Sequence, residues 1–75
     1  MDRHPRISID PAVMVGKACI KGTRITVELI LRLLGEGCSI ADVIDDYPHL
    51  EREDIMAALA YAAELAAKPV VETAA

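Results

Sequence analysis

The chain has 75 residues, a net charge of −4, two cysteines, two tyrosines and neither Phe nor Trp. That length holds one domain with a thin core, since small domains bury only about 60% of their unfolded surface. Two cysteines with no CxxC spacing and no histidine pair nearby argue against a disulfide scaffold or a zinc site. So few aromatic rings argue against base stacking as a way of holding nucleic acid.

In chain order, Arg6-Ile7-Ser8-Ile9 alternates polar and apolar residues, which predicts a short strand closed by Asp10-Pro11. Val13-Met14-Val15 leads into Gly16-Lys17, a turn signal, and Ala18-Cys19-Ile20 predicts a second short strand. Lys21-Gly22-Thr23-Arg24 is then a loop. Residues 6–25 thus read as a strand-and-loop arm that needs a helix, or a partner's strands, to cover it.

Three helices are expected over residues 26–67. Thr26 is a good N-cap, Glu28 suits the first turn, and Val27, Ile30, Leu31 and Leu34 follow helical spacing. Gly35 and Gly37 end that helix, with Gly37 suited to a left-handed cap. Ser39-Ile40-Ala41-Asp42 resembles a capping box, with Ile40, Val43 and Ile44 as the apolar stripe and Pro48 as the stop. The third helix starts near Glu51. With Glu51 as N-cap, Leu50 and Ile55 hold the two positions of a hydrophobic staple, and Ile55, Ala58, Leu59, Ala62 and Leu65 mark one face. Lys68-Pro69 ends it, and residues 68–75 form a frayed tail. The fold class is therefore mainly α: one domain over 1–75, with a short N-terminal β-hairpin followed by a three-helix, helix-turn-helix-like bundle.

Met1-Asp2-Arg3-His4-Pro5 leads into no apolar run, so neither a signal peptide nor a membrane span is expected. With both cysteines read as small core residues, the expected setting is the reducing cytoplasm. Charge is unevenly spread. Residues 1–24 carry five basic and two acidic residues, whereas residues 25–75 carry three basic and ten acidic. A basic arm on an acidic body bears on the choice of partner.

Catalytic motifs fail on inspection. Gly16-Lys17 lacks a following Ser or Thr, since Ala18 stands there, and Pro11 occupies the position where a phosphate loop has its first glycine. Asp42, Asp45 and Asp46 fit a cap and a solvated helix end, and no Ser, Cys or Thr has an identifiable base partner. No enzymatic role, cofactor or metal is expected.

The run Ile20-Lys21-Gly22-Thr23-Arg24-Ile25, then Val27 and the Leu-rich helix, Gly37-Cys38-Ser39-Ile40, Asp46-Tyr47-Pro48-His49-Leu50, Asp54-Ile55 and Ala57-Ala58-Leu59-Ala60-Tyr61-Ala62 resemble the bacterial family called domain of unknown function 433. The resemblance covers roughly residues 7–66. It implies a helix-turn-helix-like fold preceded by short strands. It also implies an antitoxin role, in which members bind a small toxin with a PIN-type nuclease fold and, in some readings, their own operator. Ala18, Thr26 and Glu51 depart from the family's usual Pro, Pro and Thr, and none of them touches Gly22-Thr23-Arg24.

Two readings follow. One is a type II antitoxin that binds a PIN-like toxin and operator DNA. The other is a dimeric protein-interaction module without a DNA role. The leading edge of the third helix, Glu51-Arg52-Glu53-Asp54, is acidic and repels a major groove, so DNA contacts fall to Arg3, Arg6, Lys17 and Lys21. For the toxin, Arg24 is the candidate, presented by Gly22 and Thr23, because a rigid guanidinium matches a nuclease's cluster of carboxylates. The competing use of Arg24 is an ion pair or carbonyl contact within its own fold. A homodimer is expected because two short strands lack a sheet to join.

Overall fold

The computed structural model describes residues 4–67. The expected tail over 68–75 and Arg3 lie outside the described residues. Strand β1 (Ile7–Ser8) pairs antiparallel with β2 (Cys19–Ile20), in the register Ile7 to Ile20 and Ser8 to Cys19. The other edge of β2 is bonded to the segment entering the first helix: Ile20 N–H donates to Ile25, Val27 N–H donates to Ala18, and Cys19 bridges Thr26. The hairpin thus gains a third row of backbone pairing from its own chain.

Helix α1 (Val27–Gly35) starts as its sequence dictates. The Thr26 hydroxyl accepts from Leu29 N–H, which accounts for a polar residue buried at that place. Its end is a Schellman motif. Gly37 adopts φ +104, its N–H bonds Leu34, and Cys38 N–H bonds Leu33. Helix α2 (Ile40–Asp46) opens on a complete capping box, in which Asp42 N–H donates to the Ser39 hydroxyl and Ser39 N–H to the Asp42 carboxylate, both at 3.0 Å. Ser39, through its backbone N–H first and its hydroxyl second, holds the Asp42 carboxyl below its usual pKa. Tyr47 leaves the helical region at φ −128, ψ 77, ahead of Pro48.

Helix α3 (Arg52–Ala67) is the longest element, with 16 residues. Leu50 and Ile55, the expected staple, are both buried. The core joins Ile7 and Ile20 from the strands to Val27 and Ile30 of α1, Val43 of α2, Leu50, and Ile55 and Ala58 of α3. Helix α1 packs on α2 and α3, and α3 also covers β1. This cover is what two isolated strands need in water. The apolar face of α3 is narrower than the sequence spacing suggests. Ile55 and Ala58 are buried, whereas Leu59 and Leu65 are exposed. The half-buried Tyr61 borders the core, and it meets the His4 ring edge-on at 5.4 Å.

Candidate functional site

The loop between β2 and α1 is built as a rigid turn. Thr23 N–H closes on the Ile20 carbonyl at 3.0 Å, with Gly22 at φ +80, the signature of a type II turn that demands glycine at its third position. The Thr23 hydroxyl donates to the same carbonyl at 2.8 Å and accepts from Ile25 N–H at 3.0 Å. Lys21 N–H donates to Arg6 O at 2.7 Å, fastening the turn to β1. The backbone under Lys21 and Arg24 is therefore fixed on both sides, while both side chains are exposed.

Four of the residues singled out from the sequence meet here. Lys21, Gly22, Thr23 and Arg24 line an open cleft of about 420 Å³ together with Ser8, Asp10 and Val13. Neither Arg24 nor Lys21 makes a side-chain hydrogen bond or ion pair among the described residues. The competing use of Arg24, a bond within its own fold, is thus not observed. Above Gly22 the space is open: a β-carbon built there would meet no atom within 4 Å.

The remaining candidates sit elsewhere. The Arg6 guanidinium donates to Asp54 at 2.9 Å and to Glu51 at 3.1 Å, which ties β1 to the N-terminus of α3. Asp54 first, then Glu51, raises the Arg6 pKa above its ordinary value. Asp54 is itself buried, and its second oxygen accepts from Glu51 N–H at 2.9 Å, so it closes half of a capping box. Lys17 bonds Glu28 at 2.8 Å, and Glu28 also holds Arg32 one helical turn on. Lys17 first, then Arg32, lowers the Glu28 pKa. Lys17 lines a separate depression of about 230 Å³ with Met14, Thr26, Glu28, Leu29 and Arg32.

Sequence reasoning missed three lining residues: Ser8, Asp10 and Val13. One signal was present, since Asp10-Pro11 marks a turn. Asp10 accepts from Ala12 N–H at 2.9 Å and so shapes the loop that brings Val13 to the cleft. Cys19 is buried and Cys38 half-buried, both free. Among the described residues no cluster of three or more His, Cys, Asp or Glu side chains could hold a metal, and no helix is long and apolar enough to cross a membrane.

Comparison with known proteins gives a consistent result. The crystal structure of a DUF433 member protein from Anabaena variabilis ATCC 29413 is 34% identical, with a TM-score of 0.76. The alignment covers 79% of this chain and 58% of that one, so the chain spans little more than half the length of its solved relative. No curated protein matches. The model of the family described as protein of unknown function (DUF433) matches residues 7–62, which takes in the strands, the cleft and most of the helical body, and the chain belongs to that family.

Proposed function

We propose that the chain is the antitoxin of a type II toxin–antitoxin pair and acts in the bacterial cytoplasm by binding, without catalysis. Its target is a PIN-like nuclease toxin. The observation that supports this reading is an exposed Arg24, unpartnered among the described residues, on a turn held by Thr23. A guanidinium whose loop is already ordered forfeits little entropy when it forks onto a carboxylate pair. A nuclease that binds metal through carboxylates offers such pairs, and an arginine among them would displace the metal or its water.

The second reading is a dimeric protein-interaction module without a DNA role. The ion pairs favour it over operator binding, because Arg6 and Lys17 are engaged within the fold, and of the three described DNA candidates Lys21 alone has no side-chain partner among the described residues.

The test is binding to the PIN-type protein encoded beside this chain. Arg24→Ala should weaken it by about 2–5 kcal/mol, roughly thirtyfold or more, as loss of a buried interfacial charge does. Arg52→Ala removes an equal charge from the acidic end of α3 and should leave affinity near wild type. An unchanged Kd for Arg24→Ala, or the lack of any such neighbour, overturns the antitoxin reading.

A further inference from the structure

The connection between β1 and β2 contains a feature that folding does not explain. Met14 and Val15 take left-handed backbone conformations, at φ 50 and φ 57, and Gly16 follows at φ 79. Glycine tolerates this region, whereas a β-branched valine there is a genuine outlier. The Val15 side chain gains nothing in return, being 94% exposed. Met14 is 41% exposed, and Ile9, at the start of the same connection, is 59% exposed. A strained backbone that turns an apolar side chain fully into water points to a function outside the fold.

The surroundings indicate what covers it. Val13, adjacent in sequence, lines the cleft that holds Lys21 and Arg24, two cations without side-chain partners among the described residues. On the other side Met14 borders the depression where the single carboxylate of Glu28 pairs with both Lys17 and Arg32. The apolar ridge therefore has two cations unpaired among the described residues on one flank, and on the other two cations that share one carboxylate, so both flanks are net positive. We propose that the Met14–Val15 ridge is the apolar half of the surface to which Arg24 belongs, and that it seats in an apolar pocket bordered by carboxylates on a second protein. This rests on the antitoxin reading and adds to it a second anchor. The pattern is that of a binding hot spot, in which an apolar anchor excludes water around a charged contact and so strengthens it. The rigid left-handed turn presents the valine already in position, which lowers the ordering cost on binding.

The test uses Val15→Asn, because asparagine accepts the left-handed region while removing the branched apolar surface. The probe is the PIN-type protein encoded beside this chain, with affinity, Tm and sedimentation of the free chain all recorded. Val15→Asn should weaken binding about tenfold or more, the affinity that burying one valine supplies, with Tm unchanged or raised. Wild-type affinity in Val15→Asn, alongside a loss in Arg24→Ala, overturns the ridge and leaves the Arg24 reading standing. Unchanged affinity in both variants overturns both. A lowered Tm that accounts for the lost binding makes the ridge a fold element and overturns the proposal. So does a wild-type oligomer that Val15→Asn dissociates, since the ridge's partner is then a second copy.

Discussion

Arg6 and Arg24 are both arginines of the basic N-terminal third, yet the fold treats them in opposite ways. Arg6 lies against the start of α3, where Asp54 and Glu51 take its guanidinium and α3 gains a tie to β1. Arg24 stands in the loop between β2 and α1 with no side-chain partner among the described residues, on a turn whose own hydrogen bonds are complete without it. One charge is absorbed into architecture and the other is left available. Sequence position alone does not separate the two roles. What separates them is whether a neighbouring element supplies a carboxylate within reach.

The anchored arginine depends on the packing at the start of α3. Ile55 is fully buried one residue after Asp54, and Ile55→Ala should cost about 2–5 kcal/mol through lost burial and the cavity left behind. A urea titration measures this, and a cost under 1 kcal/mol would mean that the α3 start is not packed as described. Next in size, Asp54→Ala removes both the Arg6 partner and the acceptor for Glu51 N–H. About 1–2 kcal/mol should be lost, the usual worth of an N-terminal cap. Arg6→Ala should lower Tm as well, because it leaves the buried Asp54 without its cation.

On the other side of the comparison, Gly22→Ala should cost about 1 kcal/mol through its left-handed backbone. There is space for the methyl group, so a larger loss would show that the turn is packed more tightly than its open surroundings allow.

The smallest effect is in pH. Glu28 and Asp42 have depressed carboxyl pKa values in the folded chain, below their ordinary 4.5 and 3.8. A lowered folded pKa gives stability that is complete above the unfolded value and is lost as pH falls through the folded one. Thermal stability should therefore be level around neutrality and begin to fall on acidification through about pH 4. Both groups are exposed, so the drop is shallow, and Lys17→Met should flatten the Glu28 part of it.

Much of the fold was legible because its signals are local. Thr26, the Ser39–Asp42 box, Gly37 and the Leu50–Ile55 staple each act within five residues, and each does in the structure what its chemistry implies. The outward turn of Leu59 and Leu65 was not legible, because it depends on how far the neighbouring helices extend along α3. Of the site, the Gly22-Thr23-Arg24 turn was visible as a loop with a glycine. The Arg6–Asp54 tie joins residues 48 apart, and no short-range pattern announces such a pair. The left-handed Met14 and Val15 were hidden for a different reason. Their residue types disfavour that conformation, so local preference pointed away from it.

On the antitoxin reading, Arg24 serves a partner and Arg6 serves the fold. Titration of the PIN-type protein encoded beside this chain against Arg6→Ala and Arg24→Ala, with melts of both variants, tests it most directly. Arg24→Ala should keep its Tm and lose affinity roughly thirtyfold or more. Arg6→Ala should melt earlier and, at temperatures where it is folded, bind like wild type. If Arg24→Ala melts early while binding in proportion to its folded fraction, or if Arg6→Ala loses affinity while fully folded, the division between the two arginines is wrong.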